Sequence, residues 1–196
     1  MCIRDRLKNS VKCNLTVINC LAYDHKTLYV LPVKPSPNLP NMNSIYLYPS
    51  LCFFEGTDLS IGRGTTYQFQ VVGHPDYKNA AFYAISKAPA QFRPLPNEGA
   101  KNPKHNGKTC NGMIFNPGRH VGPEQTGRLH MEYLTEAYKQ FPNKDKFFNP
   151  FFEKLAGTDK LRKQIVAGKS AEEIRASWQG DLDAFKAKRS KYLLYN

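Results

Sequence analysis

The segment at residues 34–40, KPSPNLP, limits what this chain can fold into more than any other stretch. Each proline lacks a backbone N–H, locks φ, and pushes the residue before it out of the helical region. Three prolines in seven residues exclude both a helix and a central strand. The segment reads as a stiff, extended linker, so the stretches on either side must build their structure separately.

Upstream, residues 11–21 (VKCNLTVINCL) are rich in β-branched and apolar side chains and predict a strand. A connector follows and ends in the apolar run YVLPV. Downstream, Asn41 or Asn43 is placed to cap a short helix through Tyr48, with Pro49 as its stop. An apolar run at residues 51–54 enters the glycine-rich segment EGTDLSIGRGTT at 55–66. Residues 68–72 alternate like a strand, HPDY at 74–77 reads as a turn, and 79–88 as a short helix. Residues 91–95 read as a strand edge, 96–108 as a long polar loop, and 109–115 as a strand.

The second half changes period. Leu129, Tyr133, Leu134, Ala137, Tyr138 and Phe141 recur near 3.6 residues and predict a helix over 126–141. The aromatic run FFNPFFEKL at 147–155 reads as packing. Asp159 is placed to cap a helix over 160–167 that Gly168 closes. Ser170 and Glu173 form a capping box that opens a last helix at Ala171, running to about Ser190. The spacing of Trp178, Phe185 and Tyr192 assigns these rings to core. Short strands in the first half followed by three helices predict an α+β fold.

At 196 residues the chain holds one domain, or one domain and a piece of another. Its 28 basic and 16 acidic residues leave a net charge of +12. Such a charge attracts anionic polymers or surfaces, but there is no zinc-knuckle spacing and no RNA-binding aromatic signature, which argues against a nucleic-acid module. Five cysteines, Cys2, Cys13, Cys20, Cys52 and Cys110, form no CxxC pair and no zinc pattern. Cys13, Cys52 and Cys110 sit in apolar surroundings and read as buried thiols, with one disulfide left open for an exported protein. No run reaches the ~18 apolar residues of a transmembrane helix. The opening MCIRDR has no apolar signal region and fits nothing that follows, so it reads as a foreign or artefactual start.

The candidate chemistry centres on EGTDLSIGRGT. Gly56, Gly62 and Gly64 allow tight turns and expose backbone N–H groups. Arg63 offers a planar fork for a carboxylate. Ser60, Thr65 and Asp58 supply hydrogen-bonding groups, and Glu55 is the candidate catalytic carboxylate, partly shielded by Phe53 and Phe54. The alternative is a structural loop in which Arg63 pairs with Asp58 or Glu55. His105 would touch ligand if the loop PKHNGK at 103–108 were a lid, and Asn116 offers an amide to sugar hydroxyls. His74 and His105 read as isolated, without the ligand cluster a metal needs. No metal or organic cofactor is implied.

Four separated blocks carry a resemblance: PSPNLP at 35–40, YPSLCFFEGTDLSIGRGT at 48–65, FFEKLAGTD at 151–159 and ASWQGDLDAFKAKRSKYLLY at 176–195. In this order they resemble the C-terminal portion of the NamZ-type exo-β-N-acetylmuramidase family. The resemblance implies a Rossmann-like N-terminal domain, a smaller C-terminal domain and a cleft between them. It implies residues 7–47 as the end of the first domain with its linker, after the foreign residues 1–6, and 48–196 as the C-terminal α+β domain. The family's EHG-type motif has no counterpart here, so an incomplete and inactive chain is expected, with the main acid in the missing domain. The implied substrate is a peptidoglycan-derived muramic-acid glycan, whose lactyl carboxylate suits Arg63. The implied location is the bacterial envelope, periplasmic or secreted.

Overall fold

The computed structural model describes residues 14, 16–24, 26–78, 88–115 and 128–195. It divides into two units, Leu31–Ile174 and Met1–Val30 with Arg175–Asn196.

In the first unit, Asn41 caps helix α1 (Met42–Leu51): its side chain accepts the Ser44 N–H, and the Ser44 hydroxyl accepts the Asn41 N–H in return. The helix does not end before Pro49, because a proline in the last turn removes a single N–H and costs one hydrogen bond. The chain then tightens into a 3₁₀ turn at Cys52–Gly56.

Three short strands follow: β1 (Val71–His74), β2 (Pro89–Phe92) and β3 (Cys110–Ile114). They form one antiparallel sheet in the order β1-β3-β2. The strand expected at 68–72 begins later, because residues 68–70 form a turn in which Phe69 takes φ 53°. The edge expected at 91–95 begins earlier and stops where Pro94 denies the ladder an N–H. In the central strand, a Cβ on Gly112 would lie 1.9 Å from the Val72 carbonyl oxygen, so only glycine lets the strands approach here. The helix expected at 79–88 falls outside the described residues except for Ala88, which is not helical.

Helix α2 (Met131–Gln140) buries Met131, Leu134, Thr135 and Ala137, one face at helical spacing, and packs against α1. The aromatic run forms a further helix, α3 (Phe152–Ala156), against the 3₁₀ turn. Helix α4 (Lys160–Val166) follows, and its N-terminal amide is met by the Thr158 hydroxyl; the Asp159 side chain pairs with Lys163 instead of capping. Gly168 at φ 77° closes that helix. The expected capping box opens α5 (Ala171–Ser177), with Ser170 and Glu173 each taking the other's backbone N–H. Leu47, Leu51, Phe54, Leu59, Met113, Leu134, Phe147, Phe152 and Ile174 form the buried core of this unit.

The second unit corrects two expectations. Residues 14 and 16–20 form no strand, since no described strand lies alongside to pair with them. The last helix is not continuous: it breaks at Trp178, whose ψ of −1° departs from helical geometry, and resumes as α6 (Gln179–Ser190). Every residue of α6 is exposed, so Phe185, 46% exposed, is not core, and Trp178 and Tyr192 are only half-buried. The Cys20 N–H donates to the Tyr195 hydroxyl at 2.8 Å, and the rings of Tyr23 and Tyr195 meet edge-on.

Six α-helices and one small sheet among the described residues make an α+β protein. None of these helices is long and apolar enough to cross a membrane. Among the described residues Cys20, Cys52 and Cys110 are free; Cys110 is buried, which pushes its thiol up to about 12, and Cys52 is half-buried.

Candidate functional site

The glycine-rich segment folds through its own short side chains. The Thr57 hydroxyl donates to the Phe54 carbonyl at 2.8 Å and accepts the Leu59 N–H at 3.2 Å. Ser60 exchanges both backbone hydrogen bonds with Gly73, at 2.9 and 3.0 Å, which welds the segment to β1. Gly62 and Gly64 then take φ 76° and 85°, a region that L side chains avoid, and the chain reverses. The Thr65 hydroxyl donates to the Gly62 carbonyl and accepts the Tyr67 N–H, so it serves the turn itself.

This reversal forms one side of a cavity of about 320 Å³. It is lined by Glu55, Ser60, Ile61 and Arg63 from the segment, Ala100 to Lys104 from the loop before β3, and Phe151. The size lies at the small end of ligand pockets, roughly 300–1,000 Å³, and suits a single sugar ring. Its charges are Arg63, Lys101 and Lys104 against Glu55.

Arg63 is held from two sides. One terminal nitrogen donates to Glu55 Oε1 at 3.1 Å and the other to the Gly99 carbonyl at 3.2 Å. Each still has one N–H without a described partner, and the enclosed Nε has none. The pairing with Glu55 anticipated as a structural alternative is thus present, and it sits in the wall of the cavity.

Lys104 faces Glu55 across this wall. Its ammonium reaches the carbonyls of Phe54, Glu55, Thr57 and Leu59 at 3.4, 3.1, 2.5 and 3.4 Å. Desolvation lowers its pKa to about 8, against the opposing pull of Asp58 and Glu55. The next residue, His105, takes φ 55° and sets its Nε2 2.6 Å from the Asp58 carbonyl. Two successive side chains therefore seat the loop on the glycine-rich segment.

His74 and His105 are not isolated. Their rings meet edge-on at 4.5 Å, and with Asp58 they bring one donor atom each within 4.8 Å of one another. The hydrogen bonding disfavours a metal at this cluster. The Asp76 N–H donates to His74 Nδ1 at 3.0 Å, so the neutral ring carries its proton on Nε2 and donates to Asp58 Oδ2 at 3.3 Å. His105 Nε2 likewise faces a carbonyl and must carry a proton. Neither Nε2 presents a lone pair to an ion. Burial, then the neighbouring His105, lower the pKa of His74, while Asp58 and Asp76 oppose them.

Of the residues expected from sequence, the cavity gathers Glu55, Ser60 and Arg63. Asp58 and His105 face the histidine cluster, Thr65 lies in its turn, and Asn116 lies outside the described residues. Lys101, Asn102, Lys104 and Phe151 line the cavity without having been anticipated. Lys101, Asn102 and Lys104 lie in the stretch read from sequence as a long polar loop, 96–108. Nothing in the local pattern distinguished Phe151 from its packed neighbours.

The family model for "Exo-beta-N-acetylmuramidase NamZ, C-terminal" matches residues 46–195. The peptidoglycan beta-N-acetylmuramidase NamZ of Bacillus subtilis (strain 168) is 29% identical over 201 residues, covering 95% of this chain and 47% of that protein. A crystal structure of a DUF1343 family protein from Bacteroides fragilis NCTC 9343 has a TM-score of 0.83 at 47% identity, covering 94% of this chain and 50% of its own. A second DUF1343 structure from the same organism, at 18% identity and a TM-score of 0.65, covers 84% of this chain and 45% of its own and shares the fold. The chain spans about half the length of the relatives it matches. By this match the chain belongs to the NamZ C-terminal family.

Proposed function

We propose that this chain forms one wall of the substrate cleft of an exo-acting β-N-acetylmuramidase, which removes N-acetylmuramic acid from the non-reducing end of peptidoglycan fragments. One observation carries the reading: a cavity the size of a sugar ring holds three cations and one carboxylate, with N–H groups of Arg63 left over after Glu55 and Gly99 are served. Arg63 takes the lactyl carboxylate, the feature that separates muramic acid from other N-acetylated sugars. Ser60 and the loop amides serve the hydroxyls and the N-acetyl group.

Hydrolysis of a β-glycoside ordinarily needs two carboxyl groups, one protonating the leaving oxygen. Glu55 is the single carboxylate among the described residues lining the cavity, and Arg63 already engages it. The general acid therefore comes from an N-terminal Rossmann-like domain facing this wall, and this chain alone does not turn over substrate. The protein works in the bacterial envelope, periplasmic or secreted, where such glycans are released. The test is release of a chromophore from a muramic-acid β-glycoside by this chain and by a form extended with its native N-terminal half. Turnover only in the extended form supports the reading. Turnover by this chain alone overturns the division of labour and makes Glu55 the catalyst.

The net charge of +12 favours a second reading, a non-catalytic module that holds anionic wall polymer. Polymer binding of that kind weakens steeply as salt rises from about 0.05 to 0.5 M, whereas recognition of muramic acid in the cavity does not.

A further inference from the structure

We propose that Phe151 is the stacking platform of the cavity, a substrate-binding residue that carries the C–H face of the bound pyranose. The proposal rests on the reading that the cavity takes a sugar.

Phe151 stands apart from the run around it. Phe147 and Phe152 are fully buried, and Phe148 packs on Tyr138, Phe147 and Phe152. Phe151 is 47% exposed, has no aromatic partner among the described residues, and lines the cavity. An apolar ring left half in water gives up burial that its neighbours obtain. Occupation by a ligand with an apolar face restores it.

The backbone that carries the ring is also held in place. The Phe151 N–H donates to Asn149 Oδ1 at 2.9 Å. The Asn149 amide nitrogen reaches the carbonyls of Glu55 and Thr57 at 3.2 and 3.3 Å, and the Asn149 N–H donates to the Gly56 carbonyl at 2.9 Å. One asparagine thus ties the Phe151 backbone to the backbone that presents Glu55. A platform fixed in this way loses little conformational freedom on binding.

The composition of the walls points to the ligand class. Among the described residues of the lining, Arg63, Lys101 and Glu55 supply polar contacts, Lys104 adds charge, and Phe151 is the one aromatic ring. A pyranose has that division: hydroxyls around its rim and C–H groups on its faces. A bare carboxylate or phosphate would use the cations and leave the ring idle.

The test is an NMR titration of the chain with the methyl β-glycosides of N-acetylmuramic acid and N-acetylglucosamine, the second lacking the lactyl carboxylate. F151A is expected to weaken both by about tenfold, and F151Y to stay within about twofold of the unaltered chain. R63Q is expected to weaken the muramic glycoside alone. Saturation of the aromatic protons should pass to the C–H protons of one sugar face and cease in F151A. If F151A melts early, Phe151→Leu keeps apolar bulk without a ring and makes the same comparison. Binding of both sugars by F151A, or by F151L, as tightly as by the unaltered chain overturns the platform even where R63Q remains selective. Loss of both sugars in F151A with no selectivity in R63Q upholds the platform and overturns the role given to Arg63. Failure of the unaltered chain to bind either sugar overturns both.

Discussion

Lys104 shows how much one side chain organises here. Its ammonium lies within hydrogen-bond reach of carbonyls on both sides of Gly56, beside the donors that Thr57 and Asn149 also bring to them. Lys104→Met keeps the aliphatic stem and removes the donor. It should lower stability by about 1–2 kcal/mol, read from the urea midpoint, and loosen the cavity wall. His74 gives the fold a pH dependence. Among the charged groups that face it are His105, Asp58 and Asp76, and the net effect is a pKa below the ordinary 6.5. In the window between the folded value and 6.5 the unfolded chain binds the extra proton, so stability is present above that window and is lost as pH falls through it. Thermal midpoints measured from about pH 8 down to 5 should fall less steeply in His74→Gln than in the unaltered chain. That Glu55, Ser60 and Arg63 lie together was legible in the sequence because they share one short glycine-rich segment. Lys104 and Phe151 were not, because they reach the same cavity from 49 and 96 positions beyond Glu55. Only tertiary approach brings them there.

The helices divide by how local their instructions are. The box at Ser170 is written within four residues and forms as read, and of the two candidate caps of the first helix it is Asn41 that acts, in a box with Ser44. Asn41→Ala should cost about 1 kcal/mol of stability in chemical denaturation, since the Ser44 N–H loses its acceptor. The strands follow another rule. β3 was placed closely because both its neighbours exist, whereas the apolar run at residues 11–21 reads equally like a strand and has no described partner. Strand character is completed by pairing, which a single segment does not encode. The same holds for the last helix: its 174, 178, 182, 185 spacing is genuine, but Leu182 and Phe185 stay 41% and 46% exposed, and the helix breaks at Trp178.

Across the molecule, apolar exposure is concentrated in the unit formed by the two ends of the chain. Ile18 and Leu21 are 92% and 95% exposed, and Val30, Phe185 and Leu194 add to them. Apolar side chains grouped in this way favour association. Light scattering at rising concentration should show masses above the 22.3 kDa of one chain, and the double substitution Ile18→Ser and Leu21→Ser should bring them back toward it. The mixed class and the family were legible because four blocks keep their order over most of the length. The cavity was not, since its shape depends on where a thirteen-residue loop comes to rest, at residues 96–108.

The seat of Lys104 has a practical outcome for digestion. Trypsin must draw a basic side chain into its own pocket and straighten the chain around it, which requires local opening. Lys101, Lys104 and Lys108 are all exposed, but the Lys104 ammonium alone is held against the carbonyls of another segment, sharing its three N–H groups among four of them. The first cuts in this loop should fall after Lys101 or Lys108. The bond between Lys104 and His105 should outlast them, and an early peptide ending at Lys104 would mean that the seat opens freely in solution.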